Sequence, residues 1–331
     1  MKITRIALCA STAVISALIL TSCSSGEAAN DHTSHAANGQ DNTTFRVAYL
    51  STANYLTTLT KDNYLKDQLA AVGAKVEYSG PFAPVDAYNA VTSGNADASS
   101  TGTGYFINLV AQKSPWVAFA LEKYSGNSQG IVAAPGTGVT SLKDLYGKKI
   151  GIDSKGATGD YIVHAAFAAA GLDVSKVTEV PLKTTDFAAA FASGKIDALA
   201  SFDQNLANAI AVPGAKEIVN GTQFGSLNWS IHIVSRSFAE KHPLALKAAY
   251  KALVQESEKA QKNPSIITDT YRQFGSNDAS LKVLGTFDTP EILPLDEAAL
   301  GNLEKQAQQY VDFGFIKSVP DLKNAVVDAS K

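Results

Sequence analysis

The chain has 331 residues, of which 45% are hydrophobic and 18% charged. That is enough apolar material for about two packed domains and too much for a disordered chain. The net charge is −3 and the only arginines are Arg5, Arg46, Arg236 and Arg272, which argues against an electrostatic nucleic-acid binder. Beyond the first 25 residues no run of 18 or more apolar residues occurs, so no membrane-spanning helix is expected in the mature body.

Lys2 and Arg5 precede a largely apolar stretch from Ile6 to Leu20, which ends in Leu20-Thr21-Ser22-Cys23. A secretory signal needs only small residues before its cleavage site. A Leu, two small residues and a Cys at this place resemble the bacterial lipobox. The resemblance implies that residues 1–22 are a removed signal peptide and that Cys23 becomes a diacylated N-terminus. Two acyl chains suffice for stable anchoring, so the expected location is extracytoplasmic, held to the membrane through Cys23. Cys9 lies in the removed segment, which leaves no pair for a disulfide. The mature chain carries 26 basic against 31 acidic residues, a net −5. Residues 24–44 contain no Leu, Ile, Val or aromatic side chain. With Cys23 they are expected to form a flexible tether, on which His32 and His35 are not preorganised as metal ligands.

From Phe45 the chain alternates strand and helix. FRVAYL (45–50) reads as a strand, and Leu56, Leu59, Leu65, Leu69 and Val72 then recur at helical spacing until Gly73. KVEYS (75–79) is the next strand. Helices are expected at 85–92, 103–113, 141–146, 158–170, 185–193 and 203–211. The intervening strands fall at 96–99, 116–121, 130–134, 148–152, 177–182, 196–200, 216–219 and 230–235. After Pro243 the chain becomes mostly helical. Such alternation predicts α/β lobes with largely parallel sheets.

One motif occurs twice. Ser93-Gly94-Asn95-Ala96-Asp97-Ala98 is echoed a hundred residues later by Ser193-Gly194-Lys195-Ile196-Asp197-Ala198. Each follows an Ala/Val-rich helix, uses Gly as its stop and leads into a short strand. Two related lobes follow from this, with ligand expected in a crevice at the carboxyl ends of their strands.

The residues suited to that crevice are small and polar. Ser100, Thr101, Gly102 and Thr103 lead into one helix, and Gly156, Ala157, Thr158 and Gly159 into another. Unpaired N–H groups at such termini accept anions without a lysine or arginine, although Ser and Thr there also serve as plain caps. Ser51 and Thr52 end the first strand, where they face the crevice or cap the next helix. Asp203, after Phe202, is placed to take a ligand amine or to cap its own helix. Trp229 is a pocket wall or core. Lys155 is the one cation near an anion position. Neither Gly-rich turn is a phosphate loop or a dinucleotide fingerprint. His164, His232 and His242 fall in no catalytic motif, and no metal-ligand or cofactor pattern occurs. The chain thus offers a binding site without a reaction or cofactor.

Together these features resemble the periplasmic-binding-protein family that serves ABC importers of aliphatic sulfonates, taurine and nitrate. The resemblance spans Phe45 to Val319 and is carried by SGNADASSTGTG (93–104), SLKDLYGKKIGI (141–152), FASGKIDALASFDQ (191–204) and SFAEKHPLALKAAY (237–250). It implies a type II fold of two lobes, 45–128 with 233–331 and 129–232, crossing near Asn127–Ile131 and Ser230–Ile233. It assigns ligand contacts to Ser51, Thr52, the two Gly-rich turns, Phe202 and Asp203. Tyr55, Tyr105, Phe202 and Trp229 are candidate walls for an organic tail. Gln204 stands where many relatives have Pro. Taurine binders of the family carry an acid near the position of Ser230, which argues against taurine here unless Asp203 substitutes. The implied function is a monomeric, lipid-anchored receptor that closes on an aliphatic or aryl sulfonate and delivers it to an ABC permease. Nitrate, taurine or a thiamine-precursor pyrimidine are the alternatives. An enzyme of the thiamine-pyrimidine type is disfavoured, because the body past Cys23 has no cysteine.

Overall fold

The computed structural model describes residues 40–331. The expected signal segment 1–22, Cys23, His32 and His35 lie outside the described residues. The end of the expected tether does not. Asp41 donates its N–H to Val72 O at 2.8 Å, and its carboxylate accepts the Ala245 N–H at 2.6 Å in the first turn of the Pro243–Lys262 helix. A carboxylate there satisfies an otherwise unpaired N–H and faces the positive end of the helix dipole. Residues 41–44 are therefore part of the body, a correction to the tether boundary at residue 44.

The chain first lays down β1 (Thr44–Leu50), β2 (Lys75–Phe82), β3 (Ala98–Gly102) and β4 (Trp116–Lys123). It then builds β5 (Gln129–Ala133), β6 (Lys149–Ile152), β7 (Thr178–Pro181), β8 (Ala198–Phe202) and β9 (Lys216–Asn220), and returns through β10 (Ser230–Ser235) and β11 (Glu291–Leu293). Two sheets result, in the orders β11-β4-β10-β3-β1-β2 and β7-β6-β8-β5-β9. β10 is hydrogen-bonded in the first sheet along its whole length. The return crossing thus precedes Ser230, ahead of the expected boundary at 232.

Both sheets are mixed, which corrects the expectation of largely parallel sheets. β1 runs parallel to β2 and β3, and β6 to β7 and β8. By contrast β5 is antiparallel to β8 and β9, and β10 to β3 and β4. A strand reached through a helical crossover enters parallel. β5 and β10 instead arrive straight from the other sheet, on the side of the crevice, and so run against their neighbours. β11 adds a short antiparallel edge to β4.

Each sheet is covered on both faces, as its apolar strands require. On β1, Phe45 and Val47 join the core under the Pro243–Lys262 helix, whereas Ala48 and Leu50 join the core holding Phe106, Trp116 and Tyr310. In the second sheet Ile131 and Ala133 face one core and Val132 the other. Among the described residues no helix is long and apolar enough to cross a membrane.

The repeated motif performs the same task in each sheet. Gly94 and Gly194 stop their helices at φ +77° and +71°, a region that costs glycine little. Asp97 exchanges backbone and side-chain bonds with Arg46 on β1: its N–H meets Arg46 O at 2.7 Å and its carboxylate takes the Arg46 N–H at 2.9 Å. Asp197 does likewise with Lys149 at the start of β6, both bonds at 2.8 Å. One aspartate thus sets the central parallel pair of each sheet. Asp97 also holds the Arg46 guanidinium, at 2.6 and 3.0 Å. Asp97→Ala should therefore cost about 2 kcal/mol in urea unfolding and Asp197→Ala about 1 kcal/mol.

Candidate ligand-binding site

The carboxyl ends of β1, β3, β6 and β8 point into one crevice, as open α/β sheets arrange their ligands. A cavity with about 60 Å³ of free volume lies there, lined by Leu50, Thr52, Asn54, Pro84, Ser100, Thr101, Gly102, Tyr124, Gln129, Thr158, Phe202, Asp203, Asn228 and Ser230. That is room for about four waters, or for a head group of four or five heavy atoms. A second cavity of about 60 Å³ shares Thr52, Asn54, Tyr124, Asp203 and Ser230 with it and adds Glu122, Ser128, Tyr271 and Asp288. Among the described residues no lysine or arginine lines either one.

What the first cavity offers is hydroxyl protons. Thr101 Oγ1 accepts from Tyr88 Oη at 2.6 Å, and Thr52 Oγ1 from Asn54 Nδ2 at 3.0 Å. Thr158 Oγ1 accepts from Asn228 Nδ2 at 3.4 Å, and Tyr124 Oη from Gln129 Nε2 at 2.8 Å. Each hydroxyl receives a bond from behind, so its own proton remains to be donated forward. Chained bonds of this kind polarise one another in a low-dielectric site. The termini of the two lobes also meet here: a Cβ on Gly102 would come within 3.2 Å of Thr158 Oγ1.

The helix termini themselves are less open than the sequence suggests. Of the Thr103–Ala111 helix, the Thr103 N–H is taken by Trp229 O at 2.8 Å and the Gly104 N–H by Asn228 Oδ1 at 3.0 Å. At the Thr158–Ala169 helix, Gly159 N–H binds Asp153 Oδ1 at 2.9 Å and Gly156 N–H binds Asp160 Oδ2 at 2.6 Å. Protein acceptors already occupy these anion positions, and two of them are carboxylates. Thr103, Gly156, Ala157 and Gly159 consequently shape the turns but do not line the cavity.

Other expected contacts also fall elsewhere. Ser51 is exposed, with its N–H on Phe82 O. Trp229 is buried in the core beside Ile231 and Leu303, with the Lys123 ammonium 5.7 Å from its ring. Tyr55 packs in the other core, its hydroxyl on Pro290 O, and Tyr105 stacks on Tyr88. Of the four expected aromatic walls, only Phe202 lines the cavity. Lys155 points away, onto Glu179 and Asp160.

Ser100, His232 and Glu122 form a buried constellation that no motif announced. Asn54 Oδ1 accepts from the Thr57 N–H at 3.2 Å and from Ser100 Oγ at 2.9 Å. Ser100 Oγ also lies 2.8 Å from His232 Nδ1. His232 Nε2 stands 2.9 Å from Glu122 Oε1 without hydrogen-bond alignment, and the same oxygen accepts the Tyr55 N–H at 2.6 Å. The set braces the floor of the crevice.

Asp203 sits at φ +45°, a strained conformation for a residue with a Cβ. Its N–H binds Ser128 O at 2.8 Å, and it opens the 203–210 helix without capping it. Burial, reinforced by the charge of Glu122, pushes its carboxyl up to about 6, against hydrogen bonds with Ser128 and Tyr271.

Asn228 joins these parts. Besides Gly104 and Thr158 it binds Gln306 Nε2 through Oδ1 at 3.2 Å, and its carbonyl accepts from Gln129 Nε2 at 2.6 Å. It is 2% exposed. Neither Asn228 nor Gln129, Tyr124 and Glu122 was expected from the sequence. Their spacing is unremarkable, and only the crossing of the chain between the sheets brings them together.

Residues 51–266 match the family described as NMT1/THI5 like. A candidate aliphatic sulfonates-binding protein of Bacillus subtilis (strain 168) is 24% identical over 94% of this chain and 90% of its own. A taurine-binding periplasmic protein of Escherichia coli (strain K12) is 26% identical over 66% of this chain and 67% of its own. The structure of the alkanesulfonate-binding protein SsuA from Xanthomonas axonopodis pv. citri, bound to MOPS, superposes with a TM-score of 0.76. It is 18% identical and covers 86% of this chain and 98% of its own; the fold is shared.

Asn228→Ala should strand the Gly104 N–H and release Thr158 and Gln306. The expected loss is about 3 kcal/mol in urea unfolding.

Proposed function

The chain belongs to the NMT1/THI5-like family, and from that premise we propose that it is an extracytoplasmic solute-binding receptor whose ligand is a small organic sulfonate. The observation that carries this reading is the cluster of primed hydroxyls on Thr52, Thr101, Thr158 and Tyr124 in a crevice lined by no cation. Neutral donors suit one delocalised negative charge. A dianion would leave a second charge unmatched, which is costly in a buried site. Leu50, Pro84 and Phe202 supply the apolar wall for a short carbon chain.

The adjoining cavity favours an amine on that chain. Asp203 and Glu122 both face it, with Asp288 at its rim. A zwitterion of the taurine type would place its sulfonate among the hydroxyls and its ammonium on Asp203, so that each lobe holds part of the ligand. Differential contact of this kind shifts an open population to the closed one. Delivery to an ABC permease, a lipid anchor at Cys23 and a monomeric state complete the proposal. A binding role rather than catalysis is part of the same proposal, supported by relatives named as binding proteins.

The test is thermal unfolding of the full chain against taurine, alkyl and aryl sulfonates, sulfate, nitrate and pyrimidines. At about 100 times Kd a ligand adds about 2.7 kcal/mol. Taurine and short sulfonates should shift the transition and nitrate should not; a shift with pyrimidines alone would overturn the reading. Asp203 adds a pH signature. Its carboxyl lies above the ordinary value, so the stability it contributes is full below about pH 4 and is lost as pH rises through about 6. Binding of an amine needs the charged form, so taurine affinity should fall up to about tenfold per pH unit below pH 6. An alkyl sulfonate without an amine should not follow, and Asp203→Asn should abolish the dependence.

A further inference from the structure

Outside the crevice, the Thr158–Ala169 helix carries Asp160 and His164 one turn apart, and β7 brings Glu179 opposite them. His164 Nε2 lies 3.5 Å from Asp160 Oδ1 and 3.8 Å from Glu179 Oε2. The three donor atoms all stand within 4.8 Å of one another. Asp160 is fully buried: its Oδ2 takes the Gly156 N–H, but Oδ1, turned into the cluster, has no hydrogen-bond partner. Glu179 Oε1 has none either. The cation in place is Lys155, whose Nζ bonds Glu179 Oε2 and lies 3.5 Å from Asp160 Oδ1, on a side chain 61% exposed.

A solvated lysine is an incomplete answer to two buried carboxylates. It supplies charge from one side and leaves two oxygens unpaired, each of which carries a desolvation cost. An imidazole and two carboxylates are a donor set for a divalent transition metal. Ligands about 2.1 Å from a tetrahedral ion stand about 3.4 Å apart, close to the separations found here. The charges also balance, with two carboxylates and a neutral imidazole around a divalent ion. Phe313 and Phe315 pack on the His164 ring, with centroids at 5.4 and 4.9 Å, and fix its direction. The path by which Lys155 reaches the cluster is the path by which an ion enters.

We propose that Asp160, His164 and Glu179 form a site for a divalent transition-metal ion, in which the Lys155 ammonium is a displaceable occupant. The site is distinct from the solute crevice, whose lining includes none of the three residues.

Calorimetric titration of the full chain with zinc chloride tests this, in a background where His32 and His35 are both alanine. One ion per chain is expected. His164→Gln and Glu179→Gln should each weaken binding at least tenfold, and calcium, which prefers six or more oxygen ligands, should not compete. Lys155→Met should strengthen zinc binding several-fold by removing the competing charge. It lies on an exposed turn, so it reports even where a cluster variant fails to fold, which circular dichroism would reveal. Zinc binding unchanged in both cluster variants, or weakened by Lys155→Met, would overturn the site and leave an ordinary ion pair.

Discussion

The carboxamide of Asn228 is the constraint on which the rest of the crevice depends. It is buried in the connection that brings the chain back from the second sheet to the first, and both of its ends are used. Oδ1 satisfies the Gly104 N–H of one lobe and Gln306 near the C-terminus, while Nδ2 reaches Thr158 of the other lobe. A buried amide that leaves either end unpaired is costly. The positions of two helix starts are therefore fixed relative to each other by one side chain, and the same bond turns the Thr158 hydroxyl proton toward the cavity.

From that arrangement follows the unusual electrostatics of the site. The helix N-termini are capped by the protein's own acceptors, Asp153 and Asp160 among them, and cannot serve as open anion cradles. Hydroxyls backed by Asn54, Tyr88, Gln129 and Asn228 take over the donor role. Among the described residues, the formal charges lining the crevice are all acidic. A ligand that fits has a diffuse negative end and gains from a positive one. Asp203 is held at positive φ, and burial pushes its carboxyl up to about 6, a desolvation cost that an ammonium partner would offset.

Much of the architecture was legible in the sequence because it is local. The motifs at 93–98 and 193–198 repeat because one aspartate has the same job in both sheets, and a glycine stop with a short apolar strand is a short-range signal. The mixed strand directions were not legible: β5 and β10 look like any other strand, and only their route decides which way they run. Of the residues expected at the site, Thr52, Ser100, Thr101, Gly102, Thr158, Phe202 and Asp203 line the cavity, because turns at strand ends are rich in small polar residues. Trp229, open in the sequence between pocket wall and core, lies in the core, because aromatic type says nothing about which side of a strand end it faces. Asn228, Gln129 and Glu122 were missed because their roles arise from contacts more than 60 residues apart. The stretch at 41–44 read as tether by composition, yet one carboxylate on a helix start docks it.

The most direct measurement is a crystal structure of the chain grown with taurine. Sulfonate oxygens are expected within hydrogen-bond distance of Thr52, Thr101, Thr158 or Tyr124, with the ammonium on Asp203. A ligand bound in the reverse sense, or held on helix N–H groups freed from Asp153 and Asn228, would contradict that placement.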